Sequence, residues 1–129
     1  MLRTVSQSRF GFEELEVWQK SVKYSKGVIL LVETINTGRK HYRLIEQLEA
    51  ASASIAMNIA EGKGRYSKKE FIQFLYIARG SLFETITLLT IFHSNNWITD
   101  EQLEKMKQSA DEIAKMLGGL IASIKKSMS

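Results

Sequence analysis

The sequence predicts an all-α chain, folded as an antiparallel up-down-up-down four-helix bundle, and three observations carry that expectation. There is no Pro anywhere in the 129 residues. Apolar residues recur at alternating steps of three and four through four long segments, which is the spacing of helices that face a bundle core. Connections of about six residues join the segments, and short connections make consecutive helices antiparallel neighbours.

The first segment runs from about Glu13 to Ile35, with Leu15, Trp18, Val22, Ser25, Ile29 and Val32 as its stripe. Read alone, the run VILLV suggests a strand, but its flanks keep helical period for too long. The second, about Tyr42 to Glu61, carries Leu44, Leu48, Ala51, Ile55 and Ile59, with an unusual run of small residues in EAASASIAMNIAEG. Small side chains let helix axes approach closely, so this helix is expected tight against a neighbour. The third, about Lys68 to Phe92, has Phe71, Leu75, Ala78, Leu82, Thr85, Leu89 and Phe92 in register. Its start is marked by Ser67 as cap, Glu70 as box partner, and Tyr66 with Phe71 at staple spacing. The fourth opens the same way on Thr99, Gln102 and the Ile98–Leu103 pair, then runs through Met106, Ala110, Ile113, Leu117, Leu120 and Ile124. Gly118 and Gly119 weaken it by about 1 kcal/mol each relative to Ala. Residues 1–11 read as a flexible arm and residues 12–129 as a single domain with one core.

Composition excludes several classes of function. With no Cys there are no disulfides, zinc-thiolate sites, iron-sulfur clusters or thiol nucleophiles, and a reducing, cytoplasmic setting fits best. The longest unbroken aliphatic run, Val28 to Val32, is far below the roughly 20 residues that cross a bilayer, so no membrane partner is expected. His41 and His93 are the only histidines, and neither follows a Glu by three residues, which removes the di-iron bundle pattern. No G-x-S-x-G elbow occurs. Neither metal, cofactor nor catalytic residue is expected.

The third helix has more apolar surface than one core uses. Ile72, Tyr76, Phe83 and Ile86 form a second stripe, and Val28, Leu30, Leu31 and Ile35 widen the first helix in the same way. A helix apolar on more than one side is buried on more than one side. Val28, Leu31, Ile72, Tyr76, Phe83 and Ile86 therefore read as a self-association surface, the alternative being a wide core with scattered exposed residues.

The stretch NIAEGKGRYSKKEF, Asn58 to Phe71, combines two glycines with a cluster of cations. It lacks the G-x-x-x-x-G-K-[ST] of a Walker loop and the preceding strand of a dinucleotide fingerprint. Gly62 instead has the position of a left-handed helix cap. Glu61, in a last helical turn where the macrodipole disfavours a carboxylate, needs a cation, with Arg65, Lys63 and Arg79 in reach. Asn58 reads as a seam amide that fixes register.

In an up-down bundle this turn shares one end with the start of helix one and the finish of helix four. That end would gather Arg9, Lys63, Arg65, Lys68, Lys69, Lys125 and Lys126, while Arg39, Lys40 and Arg43 lie at the other. Cations so placed suit contacts to nucleic-acid phosphates without base readout; the alternative is a solubilising end. Tyr66 has the chemistry to stack on a base, although its spacing favours packing.

With those residues in view, QLEAASASIAMNIAEGKGRYSKKEFIQFLYIARGSLFET resembles the central signature of the four-helix-bundle proteins named for reading frames in intervening sequences of 23S ribosomal RNA genes. FEELEVWQKSVKYSKGV is similar to their first helix. The most specific pieces are NIAEG, the Arg65 and Ser67 pair, Glu70 with Phe71, and A-x-G-S-x-x-E at Ala78, Gly80, Ser81 and Glu84, which makes Gly80 and Glu84 expected structural positions. The chain departs from the usual pattern in lacking Phe-Pro before helix two and in having Ala56 and Met57 where a Pro is frequent. The resemblance implies a homopentamer and, from relatives that serve diversity-generating retroelements, a reverse transcriptase and nucleic acid as partners. Together these readings describe a non-enzymatic, homo-oligomeric accessory protein that binds RNA or DNA backbone through a basic end. The alternative is a protein-binding scaffold without nucleic acid.

Overall fold

The computed structural model describes residues 9–38 and 41–128. Most of the 1–11 arm, and both Arg39 and Lys40, lie outside the described residues. A 3-10 turn, Gly11–Glu14, leads into four helices: α1 Glu16–Val32, α2 Tyr42–Lys63, α3 Lys68–Ser94 and α4 Asp100–Ser127. Helix α1 packs on α2, α2 on α3 and α3 on α4, while α4 closes more sparsely onto α1. Thus α1 and α3 stand at diagonal corners. The four-helix bundle read from the sequence is the fold observed.

The core is built from Val28, Leu48, Ile55, Ile59, Leu75, Leu82, Leu89, Phe92, Ile113 and Leu117, all sealed from solvent. Burying a side chain of this size contributes about 1.5 to 3 kcal/mol, which outweighs any local helix propensity. Its few polar members are satisfied. Thr85 Oγ1 donates its single proton to the Leu82 carbonyl at 2.6 Å, so the Tyr24 hydroxyl, 2.7 Å away, is the donor to Thr85. By the same logic Ser52 donates to the Glu49 carbonyl and accepts from Ser25, tying α2 to α1.

Helix α1 is rotated from the phase expected. Its buried residues are Val17, Ser21, Tyr24, Val28, Leu31 and Val32, whereas Val22 and Ile29 are each 43% exposed. Leu15 misled the count: it is the N-cap, with extended backbone, because the 3-10 turn ends beside it. The helix also stops at Val32, three residues short of Ile35. Three residues expected at a self-association surface lie in the bundle's own core: Val28 and Leu31 because α1 is rotated, and Ile72 because it joins the buried face of α3. Tyr76 and Phe83 are exposed, and Ile86 is half-buried against the core.

The α2–α3 seam is the tightest in the molecule. Gly62 lies inside α2 and not at a left-handed cap; Gly64 caps the helix, with φ of −80°. The reason for glycine is steric. A Cβ on Gly62 would stand 2.6 Å from the Phe74 Cβ and 2.9 Å from the Phe71 ring. Higher up, Ser54 and Ser81 share a hydrogen bond of 2.8 Å, Asn58 Nδ2 donates to the Ser54 carbonyl and hydroxyl, and Gln47 donates to Glu84 at 3.4 Å. Gly80 has nothing within 4 Å of a built Cβ, so no packing inside the chain requires it.

Both predicted starts are capped by the expected residues. Ser67 Oγ accepts from the Glu70 N–H, although Glu70 answers the Ser67 hydroxyl and not its backbone. Thr99 and Gln102 form the complete reciprocal box. Helix α3 is long and apolar enough, by length and composition, to cross a membrane. In the bundle its core stripe packs against neighbouring helices, and Ile77, Phe83 and Ile91 remain exposed.

Candidate nucleic-acid interface

The turn between α2 and α3 spans residues 64–67, and the geometry around it brings the predicted cations to one end. Lys68 Nζ donates to Ser127 Oγ at 3.0 Å, which sets the start of α3 beside the finish of α4. Lys125 Nζ donates to the Tyr76 phenol oxygen at 2.9 Å and lies over its ring. That hydrogen bond holds the Tyr76 phenol below its usual value. The Lys63 stem reaches within 3.7 Å of a Cβ built on Gly11, which draws the 3-10 turn to the same end.

These cations rest on rings. The Lys63 ammonium sits 5.9 Å from the Phe71 centroid, the Arg65 guanidinium 4.8 Å from Phe74, and the Arg79 guanidinium 4.8 Å from Tyr76. Long basic side chains spread their methylenes over apolar surface and keep the charge in water, so the rings act as a platform that aims charge outward.

Glu61 finds its cation in Arg65, at 2.6 Å one helical turn on, and Arg79 is turned instead to Tyr76. Among the described residues, Arg65 alone of Lys63, Arg65, Lys68, Lys69 and Lys125 has a carboxylate within salt-bridge distance. Glu13, on the 3-10 turn, is engaged elsewhere. Glu13 accepts from the backbone N–H groups of Phe10 and Arg9, both at 2.8 Å, which holds its carboxyl below the usual range. Lys69 and Lys126 are exposed on α3 and α4.

Tyr66 is the residue whose spacing misled. The staple to Phe71 does not form, and the Tyr66 side chain is completely exposed. It projects between Arg65 and Lys68 in the sequence. Alongside runs an open groove of about 550 Å³ lined by Phe12, Met57, Ala60, Glu61, Gly64 and Arg65.

A second cluster of cations went unforeseen. Lys20, Lys23, Lys26 and Lys105 line a groove between α1 and α4. Nothing in the linear order announces it, because residues of α1 and α4 meet only when the bundle closes.

Fold, seam and end now stand together, and the family model of the 23S rRNA-intervening sequence proteins matches residues 13–119. The chain belongs to that family. A solved structure of an S23 ribosomal protein family member from Bacteroides thetaiotaomicron VPI-5482, described as a protein with unknown function, is similar at a TM-score of 0.75 and 28% identity. The match covers 81% of this chain and 97% of that one. No curated protein matches. The 23S rRNA-intervening sequence proteins so matched carry no indication of an enzymatic family. In this member the signature residues divide between two tasks: Gly62, Ser81 and Glu84 join α2 to α3, with Asn58 holding Ser54 for its bond to Ser81, while Arg65, Ser67 and Glu70 shape the charged turn.

Proposed function

We propose that this 23S rRNA-intervening sequence protein is a non-enzymatic, homo-oligomeric accessory protein that binds single-stranded nucleic acid at the α2–α3 end of its bundle. The observation that carries the reading is Tyr66: a completely exposed aromatic ring close in sequence to Lys63, Lys68 and Lys69, which have no carboxylate within salt-bridge distance among the described residues. Lys63, Lys68, Lys69 and Lys125 supply charge for phosphates, and Tyr66 supplies a sequence-tolerant stacking face. Lys126 extends the same surface.

Self-assembly is supported by two apolar patches at diagonal corners. Val22, Ile29 and Met57 are exposed on α1 and α2, and Ile77, Phe83 and Ile91 on α3. Patches that differ in composition and point away from one another suit a head-to-tail contact, which closes into a ring. A pentamer follows from the family resemblance, and a ring multiplies the basic end into a rim.

Fluorescence anisotropy with a labelled oligouridylate tests the reading. Tyr66→Ala is expected to cost about 1 to 3 kcal/mol of binding, the worth of one stacked base. Light scattering is expected to return a mass near five times 14.7 kDa. Assembly without any nucleic-acid binding favours the protein-binding scaffold instead.

A further inference from the structure

The groove between α1 and α4 combines an apolar floor with a rim of lysines. Its volume is about 410 Å³, within the roughly 300 to 1,000 Å³ of small-molecule sites. The floor is apolar, formed by Gly27, Met106 and Ile113 around the ring of Tyr24, with exposed Leu30 at its edge. The rim is cationic: Lys23 and Lys26 on α1 and Lys105 on α4. None of those three has a carboxylate within salt-bridge distance among the described residues. Lys20 is different. It bridges the two helices to Glu112 at 2.5 Å and closes the groove on one side. Gly27 keeps the floor open, since a built Cβ has only Met106 Sδ near it, at 4.0 Å.

We propose that this groove binds a small amphiphilic anion: a carboxylate, sulfonate or phosphate head on an apolar tail. The tail lies along Leu30, Met106 and Ile113, and the head meets Lys23, Lys26 and Lys105. Each part of the site selects against another occupant. A nucleic-acid strand finds no stacking face, because Tyr24 is buried and its hydroxyl is committed to Thr85. A helical peptide, about 10 Å across, overfills the space. A bare inorganic anion leaves the floor wet. The site is independent of the basic end, which lies beyond the Lys20–Glu112 bridge.

Isothermal titration of the whole protein with decanoate, and with decyltrimethylammonium as a cation of the same tail length, tests the assignment. One decanoate per chain is expected to bind saturably, and the cation is expected not to bind. Lys23→Glu with Lys26→Glu should weaken decanoate at least tenfold, and Gly27→Leu should block it by filling the floor. Circular dichroism melts of both variants establish that each is folded. Tyr42→Ser, at the exposed start of α2, should leave binding unchanged. The assignment is overturned if decanoate does not bind, if the cation binds equally, if folded Gly27→Leu binds as the parent does, or if Tyr42→Ser abolishes binding.

Discussion

The α2–α3 seam and the α1–α4 groove close the same bundle by opposite means. Along the seam, serine, asparagine and glycine let two helices meet so closely that one methyl group on Gly62 has no room. Across the groove α1 and α4 pack sparsely, lysines line the gap beside a glycine with space around it, and the Lys20–Glu112 bridge joins the two helices. The difference teaches what the family signature records. Gly62, Ser81 and Glu84 meet α2 and α3 across the seam, and Asn58 holds Ser54 for its bond to Ser81, so this part of the motif reports packing.

The largest expected effect contrasts the two glycines. Gly62→Ala should destabilise the fold by about 3 kcal/mol, because the opposing Phe74 Cβ is fixed to the backbone and cannot swing away. Gly27→Ala should lose nothing and gain up to about 1 kcal/mol from helix propensity. Urea melts of the two variants check this, and similar losses at both positions would remove the distinction between seam and groove.

A smaller effect concerns the polar link between the diagonal helices. Tyr24→Phe removes the hydroxyl that donates to Thr85 and should cost about 1 kcal/mol. Burial pushes the Tyr24 phenol from 10.0 up to about 12. The folded state therefore holds this proton more tightly than the unfolded state. That stabilisation is complete below pH 10 and is lost as pH rises toward about 12. Stability measured across this window should fall in the parent and fall less steeply in Tyr24→Phe.

The smallest effect concerns Gly80. In an isolated chain, Gly80→Ala should raise stability by about 1 kcal/mol, since a Cβ there meets nothing within 4 Å. Gly80 sits on the face of α3 that exposes Ile77 and Phe83, so the same change should weaken assembly. Melts and sedimentation of one sample separate the two outcomes.

Helix starts were legible because capping is local: Ser67 and Thr99 announce α3 and α4 within four residues of sequence. The phase of α1 was not, because Leu15 fits the apolar spacing while standing outside the helix as its cap. Gly62 looked like a helix terminator for a similar reason. Its true constraint, the backbone of α3 beside Phe74, is contributed by a different helix. The charged end could be assembled from topology alone, since antiparallel order dictates which termini meet. Exposure of Tyr66 could not, because the same spacing serves a staple or a free ring. The lysine groove was invisible for the most basic reason: Lys23, Lys26 and Lys105 look like ordinary solvated positions until α4 closes on α1.

The reading of the basic end rests most directly on how binding responds to salt. Oligouridylate affinity should fall linearly on a logarithmic salt scale, with a slope of about −0.7 for each phosphate neutralised. Lys68→Glu with Lys69→Glu should flatten that slope and weaken binding at low salt, with helicity unchanged. Affinity that ignores salt, or a slope that survives the double charge reversal intact, would contradict a nucleic-acid interface at this end.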